Sequence, residues 1–387
     1  MNNLKIYFLF LFLFASLFSS AQNINIRIYG GLAITEFTFT ATEGKYDIID
    51  RNTIIGSLAE GETAIIRFDT YKSLLINNKK HIVHHELHFR GATQSNKFTI
   101  TSPKKRFASH TYDNDLFIRL QENTLLLVND VQFDKYIAGV VEAEGGKKAP
   151  GEYYKAQAVL CRSYAARYFE RHLAEGYNLC DGVHCQAFKG SCKTPLILES
   201  TLATSGIVIV DTTQRIASAT FFANSGGQTA NCEDVWGNYH YYLRSKADPY
   251  SIGKPGYEWK KTFTEQEWRL YLLAKGFFVL DTVVYDFTFE QPERMKYFKF
   301  YEQDNLLELK TMRTDLQLRS TFFSVEHDSS SNTVTLKGKG YGHGVGLSQE
   351  GAMVMAEQNF RYDEIIHFYF TNVQLKNIKS LNFFKIE

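Results

Sequence analysis

The chain has 387 residues, 44% of them hydrophobic and 22% charged, which is enough apolar material for one large domain or two ordinary ones. Lys and Arg (43) balance Asp and Glu (42) to a formal net charge of +1, so there is no electrostatic reason to expect nucleic acid or an acidic surface as partner. Aromatics reach 15% against only 6 prolines, a composition that suits strands; aromatic faces also suit sugar rings, although core packing accounts for most of them.

The opening MNNLKIYFLFLFLFASLFSSAQ sets Lys5 before an apolar run from Ile6 to Phe18, followed by the small residues Ser19, Ser20 and Ala21. This is the layout of a secretory signal peptide over 1–21, cleaved before Gln22. The run is short for a transmembrane helix, and no cysteine stands at the cleavage point to carry a lipid. No other segment approaches spanning length. The mature protein is therefore expected to be exported to the cell envelope, periplasmic or extracellular, without a transmembrane anchor.

From Ile24 to about Leu127, the segments NINIRIYG, TEFTFTAT, TAIIRFD, NKFTITS and NDLFIRL alternate apolar and polar residues between Gly, Asn, Asp and Ser breaks. That is the period of half-buried strands. ENTLLLVNDVQFDKYIAGVVEAEGG continues as a strand, a turn and a short helix. Glu152–Glu175 is the strongest helix: it is rich in Ala, lacks Gly and Pro, and is closed by Gly176. Strands return at SGIVIVD and IASATFFANS, and a charged, more helical insert passes through TFTEQEWRLYLLAKGFF. Strands follow at STFFSVEHD and NTVTLKGKG, and two helical stretches, SQEGAMVMAEQ and YDEIIHFYFTN, close the chain. Strands and helices are grouped rather than alternating, which predicts an α+β fold.

On the long helix, Lys155 and Arg162 stand seven residues apart on one face, with Val159 between them. They either contact a ligand, pair with buried carboxylates or form a solvated face. Upstream, Glu142 and Glu144 are two apart and do not face each other on a helix, which argues against an acid/base pair. One of them acting alone needs an environment that raises its pKa. YNLCDGVHCQAFKGSCKT then gathers Cys180, His184, Cys185 and Cys192. Three Cys and one His make a tetrahedral zinc set. The spacing C-x3-H-C-x6-C matches no standard finger, however, and exported proteins usually oxidise neighbouring cysteines, so a disulfide is an equal rival. The total of 5 Cys is odd, so at least one stays free or binds metal. Cys161 reads as a small buried residue rather than a nucleophile. HIVHHELH (His81, His84, His85, His88) has a metal-like helical spacing, but its flanks read as strands, which split that spacing between two faces.

In GKGYGHGVGLSQEGA, from Gly338 to Ala352, glycine recurs at every second position as far as Gly346. Phosphate cradles need G-x-G-x-x-G or G-x4-G-K-[ST] between a strand and a helix, a different pattern. Alternate glycines clear one face of a strand or loop, so the expectation is a backbone wall on which a ligand can lie directly, with His343 projecting from the opposite parity beside Tyr341.

VNDVQFDKYIAGVVEAEGG, KAQAVLCRSYAARY, FFANSGGQTANCEDVWG, YLRSKADP and GKGYGHGVGLSQEGAMVMAEQNFRYDEIIHFYF, in that order, closely resemble the stage II sporulation protein D and amidase-enhancer family. The resemblance runs from about Leu116 to Val373. It implies a strand-rich region over 22–115, then a mixed α+β catalytic domain with a cleft over 116–375, a variable insert at about 250–320, and a tail over 376–387.

The implied activity is a lytic transglycosylase that cleaves peptidoglycan glycan strands between MurNAc and GlcNAc, preferably strands stripped of stem peptides. The family's essential glutamate falls on Glu144. Lys155, Gln157, Arg162, Tyr164, Ser225, Gly226, Gly227, His343, Ser348 and Gln349 fall on cleft-lining motif positions that bind substrate. A cation beside Glu144 lowers its pKa, so Lys155 and Arg162 are expected to bind substrate or a structural carboxylate. A structural zinc, not needed for the chemistry, falls on Cys180, His184, Cys185 and Cys192. A cell-wall amidase is a further expected partner, and the rival reading is a glycan-binding, non-catalytic enhancer of such an amidase. Gly145-Gly146 replaces the family's frequent Met-Pro, which bears on the shape of the cleft. The family's name does not by itself imply sporulation here.

Overall fold

Alternating burial turns the N-terminal pattern into strands. In β1 (Asn23–Ile28), Ile24, Ile26 and Ile28 are buried while the residues between them face outward. The structure, a computed structural model, describes residues 22–70, 72–280, 283–300 and 304–381, so the expected signal peptide lies outside the described residues. The following strands are β2 (Glu36–Glu43), β3 (Tyr46–Asp50), β4 (Thr53–Leu58), β5 (Thr63–Thr70), β6 (Ser73–Ile76), β7 (Lys79–Ile82), β8 (Glu86–Gly91), β9 (Lys97–Thr101), β10 (His110–Asp113), β11 (Asp115–Gln121) and β12 (Thr124–Gln132). One sheet has the order β10-β9-β2-β5-β6-β7, and a second contains β1-β12-β11-β8-β3-β4. Phe39 of the first sheet lies 4.6 Å from Phe89 and 5.1 Å from Tyr46 of the second, so the two sheets pack face to face. Burying a side chain of the size of Phe39 contributes about 1.5–3 kcal/mol. His84 bonds Asp50 (2.7 Å) and His88 bonds Asp115 (2.8 Å), and the histidine-rich stretch crosses from β7 of one sheet to β8 of the other, so it is polar strand and connection rather than a helical metal face.

β12 runs into α1 (Phe133–Gly145), followed by α2 (Gly151–Arg167), β13 (Leu179–Cys180), α3 (Pro195–Ala203) and β14 (Ile207–Val210). β13 pairs parallel with β1 and extends the second sheet, tying the helical part to the sandwich. The expected boundary at 115/116 falls inside this sheet, because β11 pairs with both β8 and β12, and one hydrophobic core spans both sides of it. α2 is buried along nearly its whole length, from Tyr153 to Ala166, and packs on α1, α3 and β14. The helix expected to reach Glu175 stops at Arg167: Tyr168 leaves helical geometry (φ −110°, ψ 20°), and Asn178 Nδ2 donates to the Phe169 carbonyl (2.9 Å). A short 3-10 turn, Leu173–Glu175, then ends at Gly176 with φ 88°. Tertiary bonding here overrides good local helix propensity.

The strand expected through IASATFFANS is mostly irregular extended chain. Only β15 (Phe221–Phe222) is regular, and α4 (Cys232–Trp236) follows it. The insert comprises β16 (Glu258–Thr264), α5 (Glu265–Ala274), the short pair β17 (Tyr297–Phe298) and β18 (Leu307–Glu308), α6 (Leu309–Asp315), β19 (Phe322–Asp328) and β20 (Thr333–Lys339). Its sheet has the order β16-β20-β19 and encloses its own core around Trp268, Leu272, Phe298 and Phe323. A capping box, with the Thr264 side chain and Glu267 bonding reciprocally to backbone amides, starts α5. After the glycine-rich stretch come β21 (Leu347–Ser348), parallel to β15, then α7 (Gln349–Glu357), α8 (Tyr362–Tyr369) and β22 (Gln374–Asn377), which pairs with β14. Mixed sheets with segregated helices make this an α+β protein. No helix among the described residues is long and apolar enough to cross a membrane.

Candidate active site and metal centre

α1 carries both upstream glutamates, and their partners separate their roles. Glu142 accepts from the Lys193 amide (3.2 Å) and from Thr194 Oγ1 (2.6 Å), at the residue just before Pro195 opens α3. Its carboxylate is spent on joining α1 to α3. Glu144 is partly exposed and accepts, through Oε1, one bond from the Ala187 amide (2.9 Å). No other bond to this carboxylate is present among the described residues. Gln349 Nε2 donates to the Glu144 main-chain carbonyl (3.0 Å), bringing the first turn of α7 to the end of α1. α1 stops at Gly146 (φ 72°, ψ −176°), a conformation essentially restricted to glycine. A Cβ at Gly145 would lie 3.2 Å from Tyr153 Oη, so two glycines suit the packing found here.

The remaining expected contact residues are largely occupied by the protein itself. Lys155 pairs with Glu152 (2.5 Å), whose other oxygen accepts from the Tyr362 amide (2.8 Å). Arg162 is fully buried; it bonds Asp134 (2.8 and 3.1 Å) and the carbonyls of Ile207 and Thr201, so its partner is a structural carboxylate. Gln157 is buried and donates to Cys161 Sγ (3.6 Å). Burial, and then the charge of Glu144, push the Cys161 thiol well above its ordinary pKa, which keeps it neutral and inert. Tyr164 Oη accepts from Arg171 (2.9 Å). Ser348 caps α7: its Oγ accepts from the Ser225 amide (3.2 Å) and meets Ser251 Oγ at 2.8 Å. Ser225 Oγ accepts from the Gly227 amide (3.1 Å).

His343 holds its loop through both ring nitrogens. Nε2 donates to the Phe221 carbonyl (3.0 Å), and Nδ1 accepts from the Val345 amide (3.1 Å). That pairing requires the neutral tautomer, and burial lowers the pKa to about 4. The glycine wall is also filled from within. A Cβ at Gly338 would fall inside the Trp259 ring, at Gly340 2.7 Å from the Asn224 carbonyl, and at Gly342 2.7 Å from Phe222 Cβ. At Gly344 it would meet the Arg294 guanidinium at 2.9 Å, and at Gly346 the Thr220 carbonyl at 2.3 Å. The alternate glycines therefore admit neighbouring protein rather than a sugar chain. Gly226 belongs to the same contact, its missing Cβ lying 2.7 Å from Lys339 main chain.

A second cluster lies next to Ala187. His172, Cys180, His184 and Cys185 bring one ligand atom each within 4.8 Å of one another. Cys185 Sγ lies 3.6 Å from His172 Nε2 and 3.7 Å from His184 Nδ1, and Cys180 Sγ lies 3.9 Å from the latter. A tetrahedron with metal–ligand arms of about 2.0–2.3 Å has edges of about 3.3–3.8 Å, so both the donor types and the size of the cluster suit zinc. Glu175 accepts from His172 Nδ1 (2.6 Å), orienting the ring as outer carboxylates do in zinc sites. Cys192, expected in this set, lies outside it, with Sγ 3.5 Å from the Thr194 carbonyl. His172 takes the fourth place, made available by the turn after Arg167. All five cysteines are free.

Residues 121–217 match the profile of the family described as SpoIID, stage II sporulation protein. The chain is 27% identical to stage II sporulation protein D of Bacillus subtilis over 293 residues, 71% of this chain and 83% of that protein. It is 27% identical to the protein of that name from Bacillus amyloliquefaciens over 269 residues, 65% of this chain and 76% of the relative. An uncharacterised protein of Brachyspira hyodysenteriae is 26% identical over 284 residues.

The chain thus contains a segment similar to the SpoIID family, and most of its length is similar to stage II sporulation protein D. That similarity suggests a cell-wall related function. The segment matching the SpoIID profile contains Glu142, Glu144 and all four members of the His/Cys cluster. Ser225, His343, Ser348 and Gln349 lie outside that segment and reach it through the bond from Gln349 to Glu144.

Proposed function

We propose that this chain is an exported peptidoglycan lytic transglycosylase in which Glu144 is the single acid and base. The observation that carries the reading is the contrast between the two glutamates: Glu142 is tied to α3 on both carboxylate oxygens, whereas Glu144 holds one amide and keeps an edge free. Glycosidases that use water need two carboxyl groups flanking the bond. A transglycosylase needs one. Protonated Glu144 gives its proton to the oxygen leaving C1 of the muramyl residue as the C1–O bond breaks. The resulting carboxylate takes the proton of the muramyl 6-hydroxyl, whose oxygen bonds C1 and closes a 1,6-anhydro ring. The Ala187 amide orients the carboxylate, and Gln349 anchors the main chain beneath it.

In this reading His172, Cys180, His184 and Cys185 hold a structural zinc. Bound there, it supplies cross-linking rather than chemistry, fixing the loop that presents Ala187 two residues beyond Cys185. Incubating the mature protein with peptide-free glycan strands tests the activity. The expected products end in 1,6-anhydroMurNAc, and Glu144→Gln abolishes them while Glu142→Gln does not. Ordinary reducing ends would contradict the mechanism.

A further inference from the structure

The glycine-rich stretch passes a group of cations that no acid among the described residues neutralises. Arg294 is enclosed between Gly344 and Phe322; its guanidinium donates to the carbonyls of Ser225 (2.7 Å) and Gln228 (2.6 Å) and to Thr321 Oγ1 (3.3 Å). The charge facing it is another cation, Arg313 of α6. Arg313 has no carboxylate or hydrogen-bond acceptor for its guanidinium among the described residues, and its Nε is buried without a partner. Arg319 lies across the exposed Tyr341 ring, 5.7 Å from its centre, likewise without an acid. The nearby carboxylates are committed elsewhere: Asp315 to Lys275 (2.7 Å) and Glu308 to Lys310 (3.0 Å). His343 is neutral and offers no negative charge.

Burial lowers the pKa of Arg313, yet a guanidinium stays protonated throughout the accessible pH range. Arg313 is half-buried with its Nε enclosed, and a partly desolvated cation without a partner is destabilising unless an anion compensates it. Tyr341 is 50% exposed, a flat apolar face with the planar Arg319 guanidinium against its ring, and Arg313 stands near enough for its charge to interact with the Tyr341 phenol. From Tyr341 the chain reaches Gln349, the residue that touches Glu144, in eight residues, a span of at most about 29 Å.

We propose that Arg313, Arg319 and Tyr341 form a subsite for an anionic sugar, in which Tyr341 stacks on the ring and the two arginines receive its carboxylate. Resting on the function proposed above, the ligand is a muramyl residue of the glycan strand, whose lactyl carboxylate is free where the stem peptide has been removed. The subsite would make the enzyme read the absence of the peptide directly, as a negative charge.

The test compares binding of the full mature protein to a peptide-free GlcNAc–MurNAc tetrasaccharide and to chitotetraose, which has the same sugar backbone without carboxylates. The wild type is expected to prefer the former by about tenfold or more, and to lose the preference when its carboxylates are converted to amides. Replacing both arginines (Arg313→Gln with Arg319→Gln) should remove the preference and leave the affinity for chitotetraose unchanged, while Tyr341→Ala weakens both. The exposed Arg319→Gln variant alone should lose part of the preference, which keeps the test open if the double variant folds poorly. No preference in the wild type, or one that survives in the variants, overturns the subsite, as does binding of a phosphodiester polymer but not the tetrasaccharide. Formation of 1,6-anhydro ends without a carboxylate preference defeats this inference alone; the preference without cleavage defeats the proposed reaction alone.

Discussion

Gly346→Ala separates the two possible meanings of the glycine-rich stretch. Gly346 has φ 82°, and an added Cβ would lie 2.3 Å from the Thr220 carbonyl. That carbonyl accepts from the Leu347 amide (3.0 Å), and Thr220 Oγ1 donates to the Val345 carbonyl (3.1 Å), so neither strand can retreat without losing bonds. The left-handed backbone costs alanine about 1–2 kcal/mol. Displacing main chain against main chain adds a similar or larger amount, for a total of about 3–5 kcal/mol. Gly61 is the internal reference: its φ is 83°, but nothing lies within 4 Å of the added Cβ, so Gly61→Ala should cost only the backbone part, about 1–2 kcal/mol. Urea unfolding of both variants, followed by tryptophan fluorescence, measures the difference. If Gly346→Ala loses no more stability than Gly61→Ala, and glycan affinity falls instead, the glycines face ligand and the packing argument is wrong.

Arg162→Met leaves Asp134 without its buried partner and should destabilise by about 3–5 kcal/mol, visible as a lower urea midpoint; a stable variant with weakened glycan binding would restore the substrate role. His343 has its folded pKa depressed to about 4 against an ordinary 6.5, so the unfolded chain binds more protons between those values. The stability it contributes is complete above pH 6.5 and is lost as pH falls toward 4, with a slope of at most about 1.4 kcal/mol per pH unit. Denaturation across that range should show a shallower acid loss in His343→Gln than in wild type, and equal slopes would count against the neutral, doubly bonded ring. Elemental analysis should find about one zinc per chain, abolished by Cys185→Ser or His172→Ala and retained in Cys192→Ser. Retention in the first two, or a disulfide among the three cysteines in a peptide map, would replace the metal reading.

Period-two patterning made the sandwich legible, because a strand with one buried face must alternate, as Ile24, Ile26 and Ile28 do. The α+β class followed from the grouping of elements. Helix length was less legible: Tyr168 to Gly176 has good helix formers, and only the bond from Asn178 to Phe169 and the turn before Gly176 end the helix early. The missing metal donor has the same cause. His172 reads as one more helical residue until the chain is known to turn there, whereas Cys192 is near in sequence and drawn away by α3. Spacing alone said that Glu142 and Glu144 do not form a pair, but their separate roles depend on Thr194 and Ala187, far along the chain. The glycine run showed that side chains are excluded on one side without showing what excludes them. Trp259, Phe222, Arg294 and Thr220 do so, from segments distant in sequence.

The most direct measurement of the central claim is cleavage of peptide-free glycan strands in water enriched in oxygen-18, with the products weighed by mass spectrometry. Intramolecular ring closure assisted by Glu144 predicts new muramyl ends lighter by one water than hydrolytic ends and carrying no label, formed by wild type and Glu142→Gln but not by Glu144→Gln. Labelled reducing ends, or unlabelled anhydro ends that persist in Glu144→Gln, would contradict it.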